Sequence, residues 1–357
     1  MSTRSFLVPA LLFSALSLQA APSCRPLNSF EQGRDLRQSQ MTPAYNATAR
    51  IDVRGSWDVY ATGSYIFWQP REENIELGII NRNSSVQELS IDGRVAEMNF
   101  HYKSGLKAGL GCYSNRDNWD VYAEYTWLSG HQFSSISAPD SGTIYPFWGH
   151  PANSGIQISS GKGRWNLELN IADLQLARSY YVGSKLTFRP YFAARAAWIN
   201  QKSSVVYVPT ATGIPYHIRN SSHSWGVGPG TGISAEWLLG YGIRVLSSAE
   251  ADILFTRYNL HMTEESSEDP STLAIDLYQR HLYCLRPHSD LEIGLGWETY
   301  FDNHNYHFDI LATYGFQIFW NQNMFRNFVN SVSYGKSVEP NGDLYIHGLT
   351  GAVRFDF

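Results

Sequence analysis

Charge is scarce in this chain of 357 residues: Asp, Glu, Lys and Arg make up 17% of it, where a soluble domain ordinarily carries about a quarter. Cysteine is scarcer, at three residues. That number excludes a dense disulfide framework. It leaves Cys24, Cys112 and Cys284 as candidates for one disulfide with a thiol left over, for a crosslink between chains, or for unpaired packing. Past the N-terminal segment there is no run of about 18 apolar residues, which excludes a transmembrane helix. Long stretches of Ala, Glu, Lys and Leu, the raw material of helices, are missing too. Basic residues form no tract: 27 Lys and Arg are scattered among 32 Asp and Glu, for a net charge of −5. This speaks against a nucleic-acid partner. No internal repeat, low-complexity tract or linker divides the chain.

Aromatics and glycine are what it has instead. There are 22 Tyr, 18 Phe, 11 Trp and 29 Gly, and the mean hydropathy of −0.29 is too polar for a bundle of membrane helices. Such a mixture suits a sheet with one lipid-facing and one wet face. The first twenty residues read as a signal peptide. Arg4 supplies the positive start, Phe6 to Leu18 the apolar stretch, and Ala20 the cleavage point. Ala21-Pro22-Ser23 makes a poor lipobox before Cys24. Export without a helical anchor leaves a soluble periplasmic protein, a secreted protein or an outer-membrane barrel.

Periodicity separates these. From Tyr306 to Trp320, apolar residues alternate with polar ones almost without a break, longer than the usual strand of about five or six residues. Trp119 to Trp127, Trp57 to Phe67, Ile243 to Phe255 and Leu291 to Phe301 repeat the pattern. Around Ala172-Asp173 the apolar parity switches, from Leu167, Leu169 and Ile171 to Leu174 and Leu176, which predicts a tight turn or a bulge there. Trp57, Trp68, Trp119, Trp127, Tyr306 and Trp320 sit at segment ends, as interfacial girdles require. Turns are expected at 115–118, Arg189-Pro190, 239–242, Pro287 to Asp290 and 339–342. Extracellular loops are expected at roughly 131–160, 209–222 and 259–272. The fold expected is an all-β, transmembrane, antiparallel up-and-down β-barrel over 49–357, of about 12 to 16 strands with 14 favoured. Residues 21–48 then form a periplasmic extension or plug.

The chain ends on Val353, Phe355 and Phe357 in one parity. A last strand terminating on an aromatic resembles the signal by which assembly machinery recognises outer-membrane barrels. Outer-membrane lipid, that machinery, and small solutes and ions are the partners expected. A homo-oligomer is compatible with the sequence but nothing requires one.

Chemistry of the enzymatic kind is hard to place. His223-Ser224 is the one close pair suited to a base and a nucleophile, yet adjacent strand residues point to opposite faces. Gly226 to Gly232 lacks the Lys-Ser/Thr ending of a phosphate loop and marks a kink or a close strand approach. His261, His304 and His307 have no partners at metal-ligand spacing and read as solvated loop residues. No catalytic residue, metal or cofactor is expected. The wet parity is more telling. Placing the aromatics against lipid turns Asp58, Asp120, Glu124, Glu168, Glu250, Asp252, Glu292, Glu298, Asp309 and Asp356 inward, against Lys107, Arg195, Arg244 and Arg354. Carboxylates lining a water-filled pore concentrate cations. The expectation is a cation-preferring porin working by passive diffusion. The alternative is a structural or adhesive surface protein with a closed lumen, and conductance separates the two.

Several blocks, in order, resemble the MOMP-like porin family, the Legionella-type and chlamydia-related major outer membrane proteins. They are Trp57-Asp58-Val59-Tyr60 leading to Ile66 to Pro70, and Trp119 to Thr126 after the Gly-rich Gly105 to Gly111. Arg189-Pro190 to Trp198, Trp225 to Pro229 and His347 to Phe357 follow. Ala193 departs from the Gly expected in the Arg-Pro block. The resemblance implies an outer-membrane porin and major surface antigen. Among chlamydia-like members it also implies a disulfide-crosslinked envelope.

Overall fold

The computed structural model describes residues 49–55, 57–82, 92–114, 118–150, 156–265, 273–328, 337–338 and 341–357. The expected signal peptide, the segment 21–48 and Cys24 lie outside the described residues. Everything regular in the described part is strand. The first half comprises β1 (Val59–Glu72), β2 (Gly78–Asn81), β3 (Gly93–Ala96), β4 (Lys103–Tyr113), β5 (Trp119–Ser137), β6 (Thr143–Pro146), β7 (Ile158–Arg178) and β8 (Tyr180–Tyr181). Then come β9 (Leu186–Pro209), β10 (Tyr216–Gly240), β11 (Ile243–Glu265), β12 (Leu273–Phe301) and β13 (Tyr306–Phe319). A small pair, β14 (Asn327–Phe328) and β15 (Ser337–Val338), precedes β16 (Leu344–Asp356).

All but β14 and β15 join one sheet of 14 strands, every pairing antiparallel. Four of them (β2, β3, β6 and β8) are short attachments. The remaining ten form a ring in which each pairs with the next, and β16 returns to pair with β1. A closed ring has no edge to template aggregation, and an even strand count lets both chain ends emerge on one side. Short turns gather on that side. Between β10 and β11 the turn is Tyr241-Gly242, both left-handed at φ 55° and 79°, as a type I′ hairpin demands. The long connections, 73–102, 138–157 and 320–343, all lie at the other end.

Two sequence expectations change here. First, β7 has neither turn nor bulge at Ala172-Asp173; it runs unbroken between β5 and β9 in continuous register. Odd residues face inward along the whole strand: Trp165, Leu167, Leu169, Ile171, then Asp173 and Ala177. What switches is the surroundings. Toward the short turns the outer wall is apolar (Leu174, Leu176) and the interior polar. Toward the long loops the outer wall is polar (Arg164, Asn166, Glu168) and the interior apolar. Second, much of the three expected loops is wall. Residues 131–137, 158–160, 216–222 and 259–265 are strand, their water-facing polar side chains having passed for loop composition. Likewise Arg189-Pro190 and Pro287 to Asp290 lie inside β9 and β12, not in turns.

The long-loop half is filled. One contiguous apolar core takes inward side chains from the wall, among them Trp68, Leu128, Trp165, Tyr207, Ile218, Met262, Phe319 and Ile346. It adds residues of the long connections folded inside: Ile75, Leu77, Met98, Ile144, Trp148 and Phe325. Each such side chain contributes roughly 1.5–3 kcal/mol when fully buried. Two polar groups inside this plug bond to backbone carbonyls of the long connections: the Tyr207 hydroxyl donates to Leu77, and the Trp148 indole donates to Glu76 at 2.7 Å.

Glycine makes the short-turn half roomy enough for its polar contents. The inward positions of β10 at this level are Gly226, Gly228, Gly230 and Gly232. A Cβ on Gly230 would run into the Asp252 carboxylate, and one on Gly232 into the Tyr191 ring. Glycine here marks a close approach of side chains to the wall. Gly230→Val is therefore expected to displace Asp252 and remove the heat-modifiable folded band on gels; a variant that folds as the parent does would contradict this.

Candidate functional site in the barrel lumen

Beneath the plug the lumen is packed with charged side chains, each placed by the inward parity of its strand. Arg195 on β9 is the largest hub. Its Nε and Nη2 donate to both oxygens of Asp173 on β7, at 2.6 and 3.1 Å, and its Nη1 donates to Asp252 on β11 at 2.8 Å. Glu250 lies 3.0 Å from Nη2, and the buried His288 ring of β12 closes the cluster, its Nδ1 2.8 Å from Asp252. Glu250 also accepts from the Tyr191 hydroxyl at 2.7 Å. Nearer the short turns, Arg244 bridges Glu236, Glu298 and Asp309. Arg354 pairs with Asp356 at 2.6 Å and stacks 3.7 Å over the Tyr60 ring. On the opposite wall Arg189 holds Asp120 at 2.8 Å, and Lys107 lies 3.3 Å from Glu124.

Of the residues expected to line the lumen, the structure brings Asp120, Glu124, Arg195, Arg244, Glu250, Asp252, Glu292, Glu298 and Asp309 inside. Two expectations are corrected. Glu168 points outward, because β7 keeps its odd face inward past Asp173. Asp58 precedes β1 in a left-handed conformation (φ 60°), with its carboxylate paired to Arg50 at the short-turn rim. Sequence reading missed Asp173, Arg189, Glu236, His288 and Asp290. The signal for His288 and Asp290 was available: Leu285 and Leu291 share one parity, so the strand could have been continued through Pro287.

The histidines also divide. His261 is exposed, 2.9 Å from Asp276, and His304 sits in an exposed turn. His307, expected in solvent, is fully buried, with Nδ1 2.9 Å from Asp356 and Nε2 3.5 Å from Glu298. It belongs to β13, whose inward face carries it into the lumen. Among the described residues no group of three or more His, Cys, Asp or Glu could hold a metal ion.

Cys112 and Cys284 are free thiols. The first faces outward from β4 and the second inward from β12, so a bond between them is excluded. His223 and Ser224 point to opposite faces. His223 Nδ1 lies 3.0 Å from Asn200 Oδ1 on the outer wall, while Ser224 donates inside to the Ile199 carbonyl at 2.9 Å. Val353 faces outward on β16, and Phe355 packs against Tyr306, Phe301 and Phe357 beside the short turns.

An aromatic-rimmed closed barrel with an apolar belt narrows the identity to membrane barrels, and the sequence decides within them. A family model described as the Legionella pneumophila major outer membrane protein precursor matches residues 52–357. The chain belongs to this family. It is an outer-membrane protein, with the short turns periplasmic and the long connections outside.

No curated protein matches the sequence. Among solved structures, the outer membrane protease OmpT from Escherichia coli matches at 9% identity, covering 87% of this chain and 100% of that one, with a TM-score of 0.45. The P. putida toluene transporter TodX matches at 12% identity, over 84% of this chain and 90% of its own, with a TM-score of 0.28. An anion-selective porin from Comamonas acidovorans matches at 8% identity, over 84% and 98%, with a TM-score of 0.19. None of these likenesses is close enough to carry an activity across.

Proposed function

We propose that this major outer membrane protein is a cation-preferring pore, held shut in the conformation described by the apolar plug at its outer end. The supporting observation is a charge imbalance. Inward at the level of the apolar belt are Asp120, Glu124, Asp173, Glu236, Glu250 and Asp252, with Asp290, Glu292, Glu298, Asp309 and Asp356 beside them. Lys107, Arg189, Arg195, Arg244 and Arg354, with Arg286 one layer nearer the plug, are the bases facing them. Such an excess in a confined interior calls for water and counter-ions. The side chains of Glu236 and Glu298 keep 39% and 25% of their exposure, which leaves room for both. Small hydrophilic solutes and ions would diffuse passively once the plug moves. No catalytic step is included: Ser221, the outward serine nearest His223 on β10, donates to the His261 carbonyl at 3.3 Å and is not held by that histidine.

The preference is testable by reversal potential in a salt gradient, on a chain whose plug has been cut. Glu124→Gln with Glu292→Gln should move the potential toward zero selectivity, and an anion-favouring potential in the unsubstituted lumen would overturn the proposal. A second reading, a permanently closed surface or adhesive barrel, is favoured by how completely Trp165, Tyr207 and Leu77 are buried in the plug.

We infer also that Val353, Phe355 and Phe357 address the chain to the assembly machinery. Phe357→Ala should lower the folded barrel recovered in outer-membrane fractions several-fold; unchanged recovery would put the signal elsewhere.

A further inference from the structure

The outer wall changes character along a line that follows the hydrogen-bond register. Trp127 on β5, Trp198 on β9 and Trp225 on β10 lie in one row, with Asn170 of β7 between the first two. All three indoles are exposed, as is the apolar wall on their periplasmic side, with Leu174, Phe192, Val227 and Phe255 outward. Beyond the row the outward residues are mostly polar, entirely so on β10 and from Glu168 back to Ser160 on β7, with Phe133 on β5 and Val206 and Val208 on β9 as apolar exceptions. An amphipathic ring prefers the headgroup level, so the row marks where acyl chains give way to headgroups.

Outward cations gather farther out, four residues beyond it on β9 and six to eight on β7, roughly 13–26 Å along the strands. Lys162 and Arg164 are two residues apart on β7, a spacing of about 7 Å along a strand. Lys202 on β9 faces Asn166, diagonal to Arg164, again about 7–8 Å away. Arg164 is already set: it stacks 5.1 Å over Phe133, and its Nε donates to Asn166 at 3.1 Å, leaving both terminal nitrogens uncommitted. Among the described residues no carboxylate lies in salt-bridge range of Lys162, Arg164 or Lys202, whereas Arg219 on β10 is neutralised by Glu265 at 2.8 Å. The acid on the same face of β7, Glu168, stands four residues from Arg164 toward the tryptophan row and diagonal to Lys202, outside ion-pair range.

We propose that this face binds the phosphorylated headgroup of an anionic glycolipid of the outer leaflet, with Lys162, Arg164 and Lys202 on its phosphates. Charge complementarity selects an anion. The tryptophans and apolar wall on the periplasmic side of the same strands select one that carries acyl chains and is large enough to reach from the row to the cations, because a free anion uses only half of the surface.

The test takes the full barrel in detergent, with diphosphoryl lipid A as the probe and its dephosphorylated form as comparison, scored by native mass spectrometry. The parent should retain the diphosphoryl form preferentially. Lys162→Ala, Arg164→Ala and Lys202→Ala together should weaken retention roughly a hundredfold, at about fivefold for each cation, while Arg280→Ala on β12 should not. Lys202→Glu alone, on a water-facing wall, should give a clear loss even if the triple variant does not fold. Equal retention by the charge variants, or equal retention of the dephosphorylated lipid, would overturn the proposal. Displacement by inorganic phosphate at matching concentrations would reassign the site to a free anion and overturn the lipid assignment.

Discussion

Cutting residues 74–100 out of the barrel and closing the gap with a short turn is expected to make a silent chain conduct in discrete steps. The segment contributes Ile75, Leu77, Ile80, Ala96 and Met98 to the centre of the plug. Without it the Tyr207 hydroxyl and the Trp148 indole lose their carbonyl acceptors. The wall residues that faced it, Leu167 and Ile199 among them, are left around a void wide enough to wet. None of the ring pairings depends on it, since β1 meets β4 through residues 59–68 and 103–112. The folded band on gels should therefore survive. A planar-bilayer recording reads the outcome: steps reversing toward the cation potential fit the proposed pore, and a folded but silent variant would favour the permanently closed surface protein.

Removing the charge of Arg195 is expected to have the largest effect on stability. Its side chain is 6% exposed, and those of Asp173, Glu250 and Asp252 are 7%, 7% and 0%, so solvent screens little of the interaction. Arg195→Met leaves these buried carboxylates facing one another without the cation they share. Breaking a buried pair from one side costs about 3–5 kcal/mol, read as a fall in the urea midpoint for refolding into detergent. Because part of that cost is the stranded charge and not the lost attraction, adding Asp252→Leu should recover some of it. No recovery, or an Arg195→Met midpoint equal to the parent's, would contradict the hub.

Period-two patterning made the barrel legible from sequence, because alternation survives whatever lies on either side of a strand. β13, read from Tyr306 onward, and the aromatic end at Phe357 were plain for that reason. Which parity faces inward was legible only where lipid lies outside. Along β7 the same inward face goes from Asp173 to Ile171, Leu169 and Trp165, polar to apolar, as the outside goes from lipid to water. A rule that puts apolar residues against lipid must then invert, which is how Glu168 came to be assigned to the lumen. The extramembrane wall is indistinguishable from loops on the same ground, its outward Lys, Arg, His and Asn residues being what a loop also shows. Proline misled at Pro287, where the strand continues into His288 and Asp290. The partnering of the lumen charges was not legible at all. Arg195 draws on residues 22, 57 and 93 positions away in the chain, separations that the register of β7 with β9 and the curl of the wall from β9 to β12 bring together.

The most direct test of a plugged lumen is the conductance of the intact exported chain in a planar bilayer, with its folded state checked by heat-modifiability. A barrel sealed by the core around Trp165 and Leu77 predicts a quiet baseline at rest. Long-lived, salt-dependent open steps from the intact chain would contradict the seal, and with it the assignment of the long connections as a plug.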